Sequence, residues 1–361
     1  MSKAAGVVRV AAIDCGTNSL RLLIADVDPR QATMADLVRR MEIVRLGQGV
    51  DATGRLAPDA LARTFRVLEE YAALISGSAA DAIRMVATSA TRDAANSAEF
   101  VRGVTRILGV PPEVLSGGQE ARLSFTGATA ELASRGPGGA RFAPPYLVVD
   151  IGGGSTEFVL GGHQSGAAVP GGMASARAEP DVAQPRRAAP GAVDQASAAP
   201  AGQIAAISVD IGCVRMTERH LHSDPPADTE IVAAVADIDA AISRAAAEVP
   251  AQRARTLVGL AGSVTTVAGI ALGLPAYDAS KIHHARIPAG EVHAVTQMLL
   301  GQTRAQRGMI GVMHPGRADV IGAGALVLDR ILVRLGFAEV VVSEHDILDG
   351  IAWAMVDHHG G

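Results

Sequence analysis

The sequence predicts an α/β fold made of two similar halves, and three observations carry that expectation. An apolar-Asp-x-Gly-x-x-Ser pattern occurs twice, 136 positions apart; apolar strands alternate with amphipathic helices; and 361 residues is the length of about two domains. In the first copy the run Ala11-Ala12-Ile13-Asp14 leads into Cys15-Gly16-Thr17-Asn18-Ser19 and the strand-like Leu20-Arg21-Leu22-Leu23-Ile24. In the second, Leu147-Val148-Val149-Asp150 leads into Ile151-Gly152-Gly153-Gly154-Ser155-Thr156-Glu157 and Phe158-Val159-Leu160. Each copy reads as strand, tight polar turn and strand, so each half is expected to present one hairpin loop to a shared cleft.

The remaining elements follow in order. Leu61, Phe65, Leu68, Ala72 and Ile75 recur at helical spacing behind Pro58 and Asp59. A strand at Ile83–Ala87 comes next, Asn96 and Glu99 have capping-box spacing for a helix to Leu108, Val114-Leu115 is a short strand, and a helix starts near Gly118. Beyond the second hairpin, helices are expected around Glu230–Val249, Ala289–Leu300 and Arg317–Leu335, strands at Thr256–Leu260 and Glu339–Ser343, and a final helix from about Asp346.

Residues 163–204 break the alternation: these 42 positions hold five Pro, no aromatic residue, and three Arg against three Asp and Glu. Such a segment cannot bury enough apolar surface to offset its ordering entropy. It is expected to be a disordered insertion at a hairpin tip, between the strand ending at Leu160 and one at Ala205–Gly212, which slow growth of closure entropy would tolerate. The expected domains are 1–125 and 126–345, with the last helix, 346–361, packing back on the first.

Composition excludes several functions. A net charge of -5 and 3% aromatic residues provide neither the basic field nor the stacking platforms of a nucleic-acid binder. Cys15 and Cys213 lie 198 positions apart, which is no disulfide framework and no zinc spacing. The N-terminal apolar run Val7 to Ile13 ends at Asp14 without the h-region and cleavage site of a signal peptide, so a cytoplasmic protein is expected. Thr256 to Tyr277 is uncharged over 22 positions, but its four glycines and Pro275 suit a buried strand, turn and helix better than a membrane span.

The chemistry concentrates in the two turns. Gly152, Gly153 and Gly154 after a buried strand let backbone N–H groups approach an anion, and Ser155 and Thr156 add hydroxyls, so the turn suits phosphate oxygens. It is neither a Walker loop, which needs Gly-Lys-Ser/Thr, nor a dinucleotide fingerprint, because Glu157 occupies the last glycine position. The other loop offers Gly16, Thr17, Asn18 and Ser19. Asp14, Asp150 and Glu157 would face one another across the cleft, and hard carboxylates beside a phosphate loop are what Mg2+ requires. Alternatively, Asp14 and Asp150 hydrogen-bond their own turns. Glu120 falls in the first turn of a helix after Ser116-Gly117-Gly118, where the helix dipole would keep it ionised and able to deprotonate a water. Taken alone, such a Glu is more often a capping feature. Arg92, after Thr88-Ser89-Ala90-Thr91, is a candidate phosphoryl clamp. His220-x-His222-x-Asp224 and His345-Asp346 imitate parts of metal sites but lack the remaining ligands.

These motifs, taken with Gly212-Cys213-Val214-Arg215-Met216-Thr217-Glu218, Gly262-Ser263-Val264-Thr265-Thr266 and Ser343-Glu344-His345-Asp346-Ile347-Leu348-Asp349-Gly350, are similar in kind and order to the exopolyphosphatase and guanosine pentaphosphate phosphohydrolase family. The resemblance spans about Val8 to Trp353 apart from the insertion, and Ser343 to Gly350 with Arg219 to Pro226 looks closest to the short actinobacterial exopolyphosphatases. It implies two ribonuclease-H-like domains around a central cleft, the fold of actin, sugar kinases and heat-shock ATPases. By resemblance, Asp14, Asn18, Ser19, Gly152, Gly153 and Ser155 fall on phosphate-loop positions, Arg92 on the clamping arginine and Glu120 on the catalytic base. Asp150 and Glu157 match acidic positions associated with Mg2+ and catalysis. Gln119 replaces an acidic residue common beside the base, Ser263 replaces a usual Thr, and typical members lack the insertion. The implied activity is Mg2+-dependent hydrolysis of terminal phosphoanhydride bonds of polyphosphate, with short chains favoured because the chain stops before the helical C-terminal domains of longer members. Hydrolysis of guanosine pentaphosphate is the alternative, non-catalytic binding of these anions a further one, and a homodimer a family-based expectation.

Overall fold

The computed structural model describes residues 6–130, 132, 142–162 and 204–357. The insertion expected at 163–204 lies outside the described residues except for Ile204. The first part of the chain runs β1 (Val8–Cys15), β2 (Ser19–Asp28), β3 (Thr33–Ile43), α1 (Val50–Thr53), α2 (Pro58–Ser78), β4 (Ala82–Ala87), α3 (Ser89–Arg92), α4 (Ser97–Leu108), β5 (Glu113–Val114) and α5 (Gly117–Thr129). The second runs β6 (Tyr146–Ile151), β7 (Thr156–Gly161), β8 (Ala205–Val209), α6 (Cys213–His220), α7 (Asp228–Glu248), β9 (Thr256–Leu260) and α8 (Ala261–Ala271). It continues with α9 (Ala279–Ile282), β10 (Arg286–Pro288), α10 (Ala289–Gly301), α11 (Arg304–Gly308), α12 (Ile321–Leu335), β11 (Glu339–Val342) and α13 (Ile347–Asp357).

The strands form two sheets with the same plan. In the first the order is β3-β2-β1-β4-β5, an antiparallel meander followed by two parallel strands; in the second it is β8-β7-β6-β9-β11, again a meander and two parallel strands, with β10 added antiparallel at the edge. The repeated sequence pattern therefore marks a repeated sheet. Equivalent pairs face each other across the two hairpins: Asp14 is in register with Arg21, and Asp150 with Glu157.

Side chains alternate between faces along each strand. Ala11, Ile13 and Cys15 of β1 join Leu61, Leu68, Tyr71 and Phe100 of α2 and α4. Val10 and Ala12 join Ile347, Leu348, Ile351 and Ala352 of α13. In β6, Leu147, Val149 and Ile151 pack with Ile238, Val264 and Leu328, whereas Val148 packs with Ala121 and Phe125 of α5. Asp14 and Asp150 continue the α13-facing and α5-facing series to the strand ends, where the sheets meet. The two covering helices are themselves in contact. Residue 125 lies inside α5, which caps the second sheet although it follows the first.

Several elements differ from expectation for local reasons. Asn96 ends up as the residue before α4 without capping it; its side chain instead binds the backbone N–H and C=O of Leu56, at 2.8 and 3.0 Å. Capping boxes form instead at Ser116–Gln119 of α5 and Thr303–Gln306 of α11. The strand β3 carries no apolar alternation because it is a largely exposed edge strand. The uncharged run from Thr256 is β9 and α8, and among the described residues no helix is long and apolar enough to cross a membrane.

At the α5–α13 crossing the backbones touch: a Cβ on Gly127 would strike the Asp346 carbonyl, and one on Gly350 the Leu123 carbonyl. Overpacking such a contact costs about 1–3 kcal/mol. Gly127→Ala and Gly350→Ala should each lower the unfolding free energy by about that amount, read as a lower urea midpoint at unchanged m-value; an unmoved midpoint would mean that the crossing yields freely.

Candidate active site

Two hairpin turns meet at the junction of the sheets. Loop 1, residues 16–18, and loop 2, residues 152–155, are closed by the same bond, Gly16 N–H to Ser19 C=O at 2.9 Å and Gly152 N–H to Ser155 C=O at 3.0 Å. They are in direct contact. A Cβ on Gly153 would lie 2.9 Å from Cβ of Thr17, and one on Gly154 would lie 2.6 Å from Oγ of Ser89, so these two positions admit only glycine without a shift. Thr17 and Ser89 hydroxyls are hydrogen-bonded at 2.9 Å in the same contact.

The start of α6 takes up the carbonyls of loop 2. Cys213 N–H bonds Gly152 C=O at 2.9 Å, Val214 N–H bonds Gly153 C=O at 2.8 Å, and Gly212 N–H bonds Gly154 C=O at 3.3 Å. In a planar trans peptide the next N–H is antiparallel to the carbonyl. The N–H groups of Gly153, Gly154 and Ser155 are therefore turned away from α6, the disposition that an anion-binding turn needs.

A cavity of about 90 Å³ lies between the loops. Asp14, Gly16, Thr17, Asn18, Ser19, Glu120, Asp150, Gly152, Gly153, Ser155 and Glu157 all line it. Gly154 instead forms the loop contact behind it, and Arg92 stands one layer back, donating to Glu120 Oε2 at 3.2 Å and to Leu115 C=O at 3.0 Å. Motif reading did not select Arg21, Ser124, Ser208 or Arg317, and it named Asp346 only within a His-Asp pair imitating a metal site and in the closing motif. Arg21 had a visible signal, since it occupies in the first repeat the position that Glu157 occupies in the second. Arg317 had none: expected within a helix, it lies in a short turn before α12, its guanidinium packed on Gly262.

Four carboxyls are buried here together. Asp14 Oδ2 accepts from Arg21 Nε and Nη2 at 3.0 and 2.7 Å, and Arg21 also pairs with Asp346. Asp150 Oδ2 accepts from Ser124 Oγ, and Glu157 Oε1 from Ser208 Oγ, both at 2.7 Å. Burial, and then the Asp346 charge, push the Asp150 carboxyl up to about 6; burial and the Asp150 charge push Glu157 up to about 8. Asp14 is raised by burial against the opposing pull of Arg21. Glu120 is raised well above its usual range by burial and Glu157, with Arg92 opposing. This corrects the expectation that the dipole of α5 keeps Glu120 ionised: desolvation and neighbouring carboxylates outweigh the partial charge of a helix end.

Among the described residues no three Asp, Glu, His or Cys side chains form a ligand group by themselves. His220 bonds Asp237, His222 N–H and Asp224 have separate partners, and Asp346 caps α13 through Leu348 N–H, so the imitated metal sites are ordinary polar contacts. The cavity nevertheless suits a hard cation. Asp14 Oδ1 is a buried carboxylate oxygen without a hydrogen-bond partner, and Mg2+ binds through one or two carboxylates while retaining waters and substrate oxygens.

A carboxyl raised by folding binds more protons in the folded state than in the unfolded one, so stability falls as pH rises through the window between the two values. For Glu157 that window runs from its ordinary 4.5 to about 8. In metal-free buffer Tm should fall across this range, Glu157→Gln should make the fall shallower, and Mg2+ should restore Tm at the upper end. Thermal scans check this; an identical slope in the variant would contradict it.

Comparison with known proteins agrees with the two-sheet arrangement. The sequence model of the Ppx/GppA phosphatase family matches residues 23–172 and 193–359. The chain is 45% identical to exopolyphosphatase 2 of Mycobacterium tuberculosis over 358 residues, covering 96% of this chain and 98% of the relative. Among solved structures it is similar to an exopolyphosphatase-like protein, with TM-score 0.82, 42% identity and coverage of 97% and 98%. It is also similar to the Ppx/GppA enzyme of Aquifex aeolicus, with TM-score 0.70, 28% identity and coverage of 96% and 99%. With a repeated sheet, paired glycine turns and near-complete coverage of these relatives, the chain belongs to the Ppx/GppA phosphatase family.

Proposed function

We propose that this cleft hydrolyses the terminal phosphoanhydride bond of inorganic polyphosphate in the cytoplasm and releases orthophosphate. The observation that carries the reading is the juxtaposition of two phosphate-type turns with a buried Glu120, held from behind by Arg92, in a cavity sized for one or two phosphoryl groups. The exopolyphosphatase relative, aligned over nearly the whole chain, supports it.

In this reading the N–H groups of loop 2 and the hydroxyls of Thr17, Ser19 and Ser155 receive the terminal phosphoryl oxygens. Glu120 orients a water and accepts its proton; burial and the Glu157 charge raise its affinity for protons above that of an ordinary carboxylate, which makes its ionised form the stronger base. Arg92 holds Glu120 in place and adds positive charge beside the group being transferred. Arg21 and Arg317, partly buried in the cavity lining, extend that field. Asp14, Asp150 and Glu157 would hold Mg2+, which when bound neutralises phosphate charge and returns these carboxyls to their ionised form. Catalysis then rests on positioning and electrostatics.

A second reading, hydrolysis of guanosine pentaphosphate, has its own support. A cavity of about 470 Å³ adjoins the first, sharing Arg21, Ala261, Gly262 and Arg317, and is lined by Tyr277, Met41, Met313 and Arg40, which suits a nucleoside better than a bare phosphate chain.

Orthophosphate release should be measured with Mg2+ from short polyphosphate, long polyphosphate, guanosine pentaphosphate and ATP in parallel. Short polyphosphate is expected to turn over fastest, and Glu120→Gln to cut release by about 10²- to 10⁴-fold with binding retained. Full turnover by the variant would overturn the role of Glu120, faster release from guanosine pentaphosphate would favour the second reading, and release from none would overturn hydrolysis.

A further inference from the structure

Arg215, in the first turns of α6, is largely buried and makes three bonds from one guanidinium. Its Nε donates to the Gly154 carbonyl of loop 2 at 2.7 Å, Nη1 to Asp51 Oδ1 at 2.7 Å, and Nη2 to Asp93 Oδ2 at 2.6 Å. Each acceptor belongs to a different part of the cleft. Asp93 directly follows Arg92, the partner of Glu120. Asp51 lies in α1, at the end of a segment that supports loop 1: Val44 and Arg45 N–H bond the Asn18 carbonyl at 3.0 and 2.8 Å, and Gly47 N–H bonds the Thr17 carbonyl at 2.8 Å.

That segment is attached to the other half at both ends. Arg45 pairs with Asp319 at 2.8 Å, Gly49 N–H bonds Glu218 at 3.1 Å, and Asp51 also receives Arg219 at 3.0 Å. Among the described residues, Arg215 alone reaches loop 2, the loop 1 support and the Arg92–Asp93 turn together. No reacting group would touch it, since it lies outside the lining of the cavity.

We propose that Arg215 is a positioning residue, a strut that fixes the mutual spacing of the two phosphate turns and Arg92 and thereby sets the rate at which a bound phosphoryl group reacts. The planar guanidinium fork is what the arrangement needs, because lysine presents a single point charge and cannot satisfy three divergent acceptors. Misplacement of catalytic groups by about 1 Å costs on the order of 10²-fold in rate. For its kinetic readout this inference rests on the phosphate-release reading above.

The test compares Arg215→Lys, Asp93→Asn and their double variant with the wild type. With whichever substrate the wild type turns over best, Arg215→Lys and Asp93→Asn should each lower kcat by about tenfold or more while KM changes by less than about threefold. The double variant should be no slower than the slower single, the signature of one shared interaction. Hydrogen exchange without substrate should accelerate in peptides covering 14–20 and 150–157 in each variant. Unchanged kcat, a loss confined to KM, additive losses or unchanged exchange would each overturn the strut. If the wild type releases no phosphate from any substrate, the phosphate-release reading fails and exchange alone decides the strut. If Arg215→Lys does not fold, Asp93→Asn, an isosteric change at a partly exposed side chain, carries the test.

Discussion

Asp14, Glu120, Asp150 and Glu157 are buried around one small cavity, and their mutual repulsion is the constraint on which the rest of the site depends. Carboxylates taken out of water are costly unless they are paired, hydrogen-bonded or protonated. The chain uses all three remedies. Arg21 is shared between Asp14 and Asp346, serine hydroxyls from α5 and β8 cover Asp150 and Glu157, and burial drives the carboxyls toward their neutral forms against the pull of Arg21 and Arg92. Such a cluster stores a demand for positive charge, which a hard cation arriving with a polyanion would meet.

The second constraint is steric. The two turns from opposite halves line one small cavity because they approach to van der Waals contact, and Gly153 and Gly154 make that approach against Thr17 and Ser89. The helices α5 and α13 impose the same closeness on the other side, with Gly127 and Gly350 at their crossing. Since Asp346 opens α13 and Glu120 opens α5, the packing of those helices also determines where two charged groups of the cleft stand. Core packing and site geometry are here one problem.

Much of the fold was legible because it rests on local periodicity. The apolar runs of β1 and β6, the helical stripe from Leu61 to Ile75 and the Asp-x-Gly turns survive as read, to within a few residues at the ends. The edge strand β3 escaped notice because exposure on both faces removes its pattern, and Asn96 misled because its side chain found a backbone partner 40 positions away instead of its own helix. Of the site, the residues within the two turns were legible from spacing, while Arg317, Ser124, Ser208 and Arg215's role were not, since each acts through a contact distant in sequence.

By itself, then, the sequence determined the two-fold repeat, the identity of the turns, and the chemical types gathered in them, because short-range spacing specifies strands, tight turns and which side chains they present. Only the tertiary structure decided the protonation tendency of Glu120 and Glu157, the Arg21 bridge between Asp14 and Asp346, and the attachment of both turns to Arg215. Those properties depend on burial and on charges brought together from positions up to hundreds of residues apart, and neither distance nor desolvation is encoded in local pattern.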